Sequence, residues 1–260
     1  MAIKEIQCKS VLTKSNLPEV DYCINPYVGC LHGCSYCYAS FMKRFTGHAE
    51  EWGVFLDVKI NALAVLEKEL NSKKKKGTIL LGSVTDAYQP IERKYCITRS
   101  ILTILAKHEF PVSILTKSAL VRRDVDVMRK IKSCEVGMTI TSLNELVSKI
   151  FEPATSTPQE RLDTLSFFRD NGIKTYAFIG PILPGITKIN EIVQAVKDRV
   201  DFVMFETLNL TKANRDKVIR CYKKAGIVFS ERLFEQENLE KEALELCKKE
   251  KVVVKGFYKH

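Results

Sequence analysis

Three of the nine cysteines lie close together, at Cys30, Cys34 and Cys37, in the spacing C-x3-C-x2-C. Thiolate is a soft ligand that selects zinc, copper(I) or iron–sulfur clusters. Gly29 and Gly33 precede the first two of these cysteines, and glycine adopts the backbone angles that a short loop needs to wrap a metal centre. The pattern therefore predicts a metal-binding loop.

The number of protein ligands separates the candidate metals. A structural zinc site is nearly always closed by four ligands, commonly two cysteine pairs, and the sequence has no second pair of that kind. His32 or His48 could complete a Cys3His zinc site, and this alternative stays open. A [4Fe–4S] cluster normally takes four thiolates, so three cysteines would leave one iron open for reaction.

The loop resembles the signature of radical S-adenosylmethionine (SAM) enzymes, in which an aromatic residue precedes the last cysteine, as Tyr36 does here. In that family SAM chelates the open iron, and its reductive cleavage gives a 5′-deoxyadenosyl radical that abstracts a substrate hydrogen. The resemblance implies that Cys30, Cys34 and Cys37 hold a [4Fe–4S] cluster and that Tyr36 lies near the adenine. It also implies an electron donor of the flavodoxin or ferredoxin type.

Length and composition favour a single globular domain. The chain has 260 residues, 45% of them hydrophobic, which is enough for a substantial core. No run of about 18 apolar residues occurs and the N-terminus lacks a signal-peptide pattern, so we expect a soluble, cytoplasmic protein. Reduced thiols are then expected, and outside the loop they are ordinary ones: Cys8, Cys23, Cys96, Cys134, Cys221 and Cys247.

The formal net charge of +10 favours a polyanionic partner such as nucleic acid. Lysine dominates the excess, for example at residues 73–76 and 248–251, and lysine-rich solvated surfaces also occur in proteins that bind no nucleic acid. Nucleic acid is therefore a candidate partner, and no membrane partner is expected.

Apolar runs of strand type alternate with helical periods through the middle of the chain. The strand-type runs lie at 21–25, 78–82, 112–116, 135–140, 174–179 and 202–205, and the helical periods at 38–44, 59–72, 98–108, 123–132, 142–150, 158–171, 188–199 and 212–225. About six β/α units of this kind predict an α/β fold, a partial (β/α)6 TIM-type barrel of parallel strands.

The chain ends are less regular. Residues 1–19 show no clear element, 180–185 are predicted as a rigid loop, and a charged helix at 236–250 and a short strand at 252–254 form a C-terminal helical extension. We expect a single domain over residues 1–260, with a core of about 20–210 and the extension at about 211–260.

Polar residues follow the later strands, where barrels of this kind bind ligands. Thr85 and Asp86 follow the second strand, and Lys117 ends the third, where its ammonium can pair with a carboxylate. Thr139 and Thr141 close the fourth strand. Helix caps and turns are the structural alternative, and for Ser142, with Glu145 three residues later, a capping box is the better interpretation.

Together with the cysteine loop, these residues resemble the spore photoproduct lyase branch of the radical SAM enzymes, often labelled DNA repair photolyase-like. The resemblance covers roughly residues 20–210 and is carried by residues 36–38, 85–86, 88–92 and 117. It implies that Thr85 and Asp86 lie at the SAM site, that Lys117 binds the SAM carboxylate, and that Thr139 or Thr141 makes a third polar contact.

One position departs from that branch. In the lyase a cysteine supplies the hydrogen atom that quenches the product radical, and Ser83 stands at the equivalent position here. Serine is a poor replacement, because an O–H bond is much harder to break homolytically than an S–H bond. Tyr38 matches a tyrosine of the lyase's hydrogen relay, so Tyr38 and Ser83 are the candidate catalytic residues. We therefore predict a substrate other than spore photoproduct.

Five further polar residues are guesses for groups that face the substrate: Asp86, Gln89, Glu92, Glu152 and Glu206. The alternative to an enzyme is a non-catalytic nucleic-acid-binding protein whose cysteine loop holds a structural metal.

Overall fold

The computed structural model describes residues 2–72, 77–230 and 238–260. Its strands β1 to β11 span, in chain order, Ala2–Ile6, Leu12–Lys14, Tyr22–Ile24, Tyr27–Val28, Phe55–Lys59, Ile79–Leu81, Val112–Thr116, Cys134–Thr139, Lys174–Ile182, Phe202–Thr207 and Val254–Tyr258. Its helices α1 to α9 span Ala62–Asn71, Glu92–Tyr95, Ile97–His108, Val125–Met128, Glu145–Phe151, Pro158–Asp170, Ile189–Val196, Arg215–Lys224 and Leu239–Lys249. Two 3₁₀ helices cover Tyr38–Phe45 and Ala119–Asp124.

Eight strands form one sheet in the order β11-β10-β9-β8-β7-β6-β3-β2. Parallel pairing joins β3 to β6, β6 to β7, β9 to β10 and β10 to β11, whereas β2 is antiparallel to β3. The sheet is not closed, since β2 and β11 end the order. The predicted α/β fold with the parallel strands of a partial TIM-type barrel is confirmed.

The described chain divides into two compact units, Met1–Gly33 with Ala39–Val136 and Cys34–Tyr38 with Gly137–His260. The single domain over residues 1–260, with its core at about 20–210, stays a prediction. In the described residues no helix is both long and apolar enough to span a bilayer. The lysines at 73–76 lie outside the described residues.

The first unit has a small second sheet, in the order β1-β5-β4, that the sequence pattern does not predict. Strand β1 pairs in parallel with β5 along its whole length, yet most of its side chains are exposed. A strand without alternating apolar residues forms because it pairs with a neighbouring strand, and its own sequence pattern does not predict it. The predicted helix at 123–132 is shorter, a 3₁₀ turn followed by α4.

In the second unit two local predictions are wrong. Strand β9 continues to Ile182, so the first part of the predicted loop at 180–185 belongs to the sheet, where Ile182 pairs with Thr207. The cap of α5 is Asn144, whose side chain accepts a hydrogen bond from the Val147 N–H (3.1 Å). Ser142 instead accepts from the Asn144 N–H, so it forms a turn before the helix and not a capping box.

The C-terminal extension contains the predicted helix as α9, with residues 236 and 237 outside the described range. The final strand, β11, lies at Val254–Tyr258 rather than 252–254, and it pairs with β10. The extension is therefore a helix followed by a strand of the main sheet.

Candidate active site

The cysteine loop leaves β4 through a backbone conformation that requires glycine. Gly29 has φ +93°, and a Cβ at this position would lie 2.6 Å from the carbonyl oxygen of Phe55. Gly33 also has a positive φ, of +63°. Two turns follow, in which the N–H of Gly33 donates to the carbonyl of Cys30 and the N–H of Cys37 donates to that of Cys34, each at 3.3 Å.

The thiols and one hydroxyl of this loop fit an iron–sulfur cluster. Cys30 is buried, Cys34 and Cys37 are half-buried, and all nine cysteines are thiols. The hydroxyl of Ser35 is buried and has no hydrogen-bond partner among the described residues. Cluster sulfurs accept hydrogen bonds, so such a hydroxyl suits their neighbourhood. Among the described residues, no three His, Cys, Asp or Glu side chains form a group that could hold a single metal ion.

In the first unit, Gln89 and Thr85 hold the start of the loop. The side-chain oxygen of the buried Gln89 accepts from the Leu31 N–H (2.8 Å), and its amide donates to the Thr85 hydroxyl (3.0 Å). That hydroxyl donates to the Gly29 carbonyl (2.5 Å). Within the described part of the chain, Thr85 therefore uses its proton and one lone pair, which leaves a second lone pair for another donor.

Asp86 joins the loop to the end of β7. Its carboxylate accepts from the Thr116 hydroxyl (2.7 Å) and from the backbone N–H groups of Tyr88 (2.8 Å) and Lys117 (2.9 Å), and it lies 3.3 Å from Nδ1 of His32. Burial raises the pKa of Asp86, but the charge of His32 and these hydrogen bonds together bring it well below its usual range. Asp86 is thus an ionised positioning residue, and its direct contact with SAM stays a prediction.

His48 is excluded as a metal ligand. Its Nε2 lies 2.9 Å from Asp57 and its Nδ1 lies 3.2 Å from Glu50, so carboxylates occupy both ring nitrogens. The ring also stacks on Phe55, with 4.1 Å between the ring centres. The Cys3His alternative that uses His48 is therefore wrong.

In the second unit, Tyr36 is fixed at both ends. Its ring is buried in an apolar cluster with Phe151, Leu183 and Tyr222, and its hydroxyl donates to the carboxylate of Glu152. Burial, and then the charge of Glu152, raise the pKa of Tyr36 well above its usual value. The phenol therefore stays protonated and serves as a donor.

Arg161 completes this arrangement. It is buried and pairs with Glu152, and it also donates to the Thr139 carbonyl (3.0 Å) and the Thr155 hydroxyl (2.6 Å). Burial lowers the pKa of Arg161, but Glu152 more than compensates and raises it. The pair thus links the end of β8 and helices α5 and α6 to the tyrosine of the cysteine loop.

Thr141 belongs to the same group. Its hydroxyl lies 3.2 Å from Glu152 and 3.1 Å from the Gly180 carbonyl, and 3.4 Å from the Tyr36 hydroxyl. Asn214, which the sequence gave no reason to select, donates to the Tyr36 carbonyl (3.1 Å) across 178 positions of the chain. The second unit therefore gathers Tyr36, Thr139 and Thr141, as the first unit gathers Thr85, Asp86 and Lys117.

The candidate catalytic residues have different environments. The hydroxyl of Ser83 accepts a hydrogen bond from the side-chain amide of Asn25 (3.0 Å), whose oxygen accepts from the Val84 N–H. Tyr38 is exposed and begins the first 3₁₀ helix. Their catalytic roles stay predictions.

For Gln89, Glu92 and Glu152, which is 2% exposed and binds Tyr36 and Arg161, the guess of a substrate-facing role is wrong. Gln89 and Glu92 have no exposed surface, and Glu92 accepts hydrogen bonds from Tyr27, Arg123 and the Thr98 N–H. Buried carboxylates of this kind are structural, because their oxygens are already occupied. Glu206 pairs with His260 at 3.1 Å.

The second unit also has a cleft of about 280 Å³ beyond β8 and β9. Ser142, Asn144 and Lys188 line it with polar groups, and Val147 and Ile186 with apolar ones. Its position after the carboxyl ends of parallel strands is where this class of fold binds ligands.

This chain matches the model of one protein family and is similar to several uncharacterised proteins. The model of the family described as the Radical SAM superfamily matches residues 24–198. The uncharacterized protein MJ0683 of Methanocaldococcus jannaschii is 36% identical over 261 residues, which cover 99% of this chain and 98% of that protein. The uncharacterized protein Rv2578c of Mycobacterium tuberculosis is 32% identical over 197 residues, which cover 72% of this chain and 58% of that protein.

Among solved structures, a mutant spore photoproduct lyase with bound AdoMet and dinucleoside spore photoproduct is similar, with a TM-score of 0.72 and 17% identity. The match covers 98% of this chain and 81% of that chain. At this level of identity, the likeness shows a shared fold.

Proposed function

The chain belongs to the radical SAM superfamily and is an enzyme of that family, and from this premise we propose that Cys30, Cys34 and Cys37 hold a [4Fe–4S] cluster at which SAM is cleaved reductively. When bound, the cluster and SAM supply an electron transfer that breaks a carbon–sulfur bond and yields a 5′-deoxyadenosyl radical for hydrogen abstraction. The observation that carries the proposal is the C-x3-C-x2-C loop, whose backbone has a positive φ at Gly29 and at Gly33. Family membership does not support the alternative of a non-catalytic protein.

The residues around the loop are suited to presenting three thiolates in a defined conformation. Gln89 and Thr85 hold the backbone at Leu31 and Gly29, and Asp86 holds His32. Preorganisation of this kind keeps ligands in place without a cost in ordering at the moment of binding. We infer that the Ser35 hydroxyl donates to a sulfur atom of the cluster.

SAM carries an ammonium group, a carboxylate and an adenine, and the candidate residues offer a partner for each. The remaining lone pair of Thr85 suits the ammonium group, and Lys117 suits the carboxylate. Tyr36 is proposed to lie near the adenine, with Thr139 or Thr141 as a further polar contact. Asp86 supports Lys117 through the backbone N–H of that lysine.

The final hydrogen transfer is proposed to differ from that of spore photoproduct lyase. Ser83 has a strong O–H bond in place of a thiol, and its oxygen accepts from Asn25. We therefore propose a substrate other than spore photoproduct. The net charge of +10 supports nucleic acid as the substrate class, and a flavodoxin- or ferredoxin-type protein is proposed as the electron donor.

The test is anaerobic reconstitution with iron and sulfide, followed by dithionite and SAM. We expect a brown protein that releases 5′-deoxyadenosine, and Cys34→Ala is expected to lose most of its iron and of this activity, because it removes one of the three proposed thiolate ligands. Cys96→Ala removes a half-buried thiol outside the loop and is the matched control, expected to behave as wild type. A colourless zinc protein, or a Cys34→Ala variant as active as wild type, would overturn the proposal.

A further inference from the structure

The 3₁₀ helix Tyr38–Phe45 carries an unusual surface. In the described part of the chain, all the large aromatic side chains that are exposed lie here: Tyr38 is 42% exposed, Phe41 39% and Phe45 67%. Single exposed apolar residues are ordinary, but neighbouring ones can form an interaction surface, and Phe41 and Phe45 are neighbours through Arg44. The helix begins directly after Cys37, the last cysteine of the loop.

A positive charge lies against these rings. The guanidinium carbon of Arg44 is 4.6 Å from the ring centre of Phe45 and 5.5 Å from that of Phe41. This geometry is a cation–π arrangement, in which a planar cation and aromatic faces form one surface. Residues 38–48 contain Lys43 and Arg44 and no Asp or Glu, so both charged side chains on the helix are cations, and the first carboxylates after it are Glu50 and Glu51.

The segment is held in shape from its C-terminal side. The Lys43 ammonium donates to the Ala49 carbonyl (2.9 Å), and the Thr46 hydroxyl donates to the Lys43 carbonyl (2.8 Å). These bonds use the side chains of Lys43 and Thr46 and do not involve the aromatic rings. Beside Arg44, Phe41 remains 39% exposed and Phe45 67% exposed, so part of each ring is at the surface.

We propose that Phe41, Arg44 and Phe45 form a stacking platform for unpaired nucleotides of single-stranded nucleic acid. Every base has an apolar face that stacks on an aromatic ring, and every nucleotide has a phosphate that pairs with a cation. A duplex hides its base faces, so it can use only the charge of this surface. The proposal deepens the proposed function, since it names the form of nucleic acid presented to the enzyme.

Binding is measured with the reconstituted, unreduced enzyme by fluorescence anisotropy. The probes are a labelled oligothymidylate of about 12 nucleotides, a length that covers a typical single-strand site, and the same strand in a duplex. We expect the single strand to bind more tightly. Phe45→Ala and Phe41→Ala should each weaken it about 5- to 100-fold, the effect of losing one stacked base, with little change for the duplex.

Arg44→Gln separates charge from stacking. It should weaken both probes and lower the slope of log affinity against log salt by about 1, as expected for one lost phosphate contact. Phe45→Trp retains an aromatic face and should restore single-strand binding. The matched controls are Val228→Ala, an apolar side chain that is 84% exposed, and the exposed Lys223→Gln, both on the other unit.

The outcomes are distinct. The platform would be overturned if Phe45→Ala weakened the binding of single strand and duplex equally, or weakened neither. It would also be overturned if the enzyme bound neither oligonucleotide, whether or not it bound an acidic protein instead. Uncoupled 5′-deoxyadenosine formation, measured in the same preparations, tests the proposed function separately. If no 5′-deoxyadenosine forms but the protein still binds the single strand, the proposed function is overturned and the platform proposal is supported.

Discussion

At the scale of single residues, the polar groups around the cysteine loop are almost fully used inside the protein. Asp86 accepts from several donors, Gln89 uses both ends of its amide, and Glu152 is shared by Tyr36 and Arg161. Buried polar groups stabilise a structure only when they are satisfied in this way. These residues are therefore expected to fix positions rather than to contact substrate.

The buried pair of Glu152 and Arg161 leads to a prediction on stability. Glu152→Ala leaves the Arg161 guanidinium buried without its partner, which should lower the free energy of unfolding by about 3–5 kcal/mol. Chemical denaturation checks the value. The double variant Glu152→Leu, Arg161→Met should recover only part of the loss, because it removes the unpaired buried charge but also removes the hydrogen bonds to the Tyr36 hydroxyl and the Thr139 carbonyl. Equal stability of Glu152→Ala and wild type would contradict this prediction.

Asp86 leads to a prediction on pH dependence. Its pKa is depressed in the folded state, so the stability that its charge provides is present above the unfolded pKa of about 4 and is lost as the pH falls toward the folded value. Asp86→Asn should therefore be less stable than wild type at pH 7, and the difference should shrink as the pH falls below about 4. Denaturant unfolding at several pH values measures this difference, and a difference that is constant with pH would refute the prediction.

At the scale of elements, the short strand β4 determines how the chain enters the cysteine loop. It pairs with β5, and the carbonyl of Phe55 in β5 closes the space beside Gly29. The loop conformation thus depends on a neighbouring strand and not only on the glycine itself.

Gly29→Ala tests this contact. The added methyl group would clash with the Phe55 carbonyl, and alanine would have to adopt a positive φ. The positive φ alone costs roughly 1–2 kcal/mol, so the total loss of stability should exceed that value. Gly172→Ala is the matched control, because Gly172 has φ +72° and open space around its Cβ position. Thermal unfolding and iron content are the measurements. If the two variants lose stability equally and bind iron equally, the contact with Phe55 is unimportant.

Element boundaries show where local patterns succeed and where they do not. Strand β7 lies where its apolar run predicts, and α6 begins after a capping box of Thr157 and Glu160. By contrast, β1 has no apolar alternation and forms because β5 offers a parallel partner. Local periodicity reports burial, so it cannot detect an element that is held mainly by backbone pairing.

At the scale of the whole chain, the alternation of strands and helices accounts for the parallel pairs β3–β6, β6–β7, β9–β10 and β10–β11. The C-terminal extension contributes β11 to the main sheet. Local sequence does not show this, because β11 pairs with β10, about 50 positions earlier in the chain. The charge of +10 is also a property of the whole chain, and the aromatic platform is the local surface through which we expect it to act.

The sequence by itself determined the radical SAM family and the class of fold, because cysteine spacing and hydrophobic periodicity are encoded within short stretches of chain. Only the tertiary structure decided which polar side chains support the cysteine loop. Asn214 meets Tyr36 across 178 positions, and Gln89 meets Leu31 across 58. Such pairs have no local signature, since the donor and the acceptor are brought together by the packing of strands and helices that each obey their own patterns.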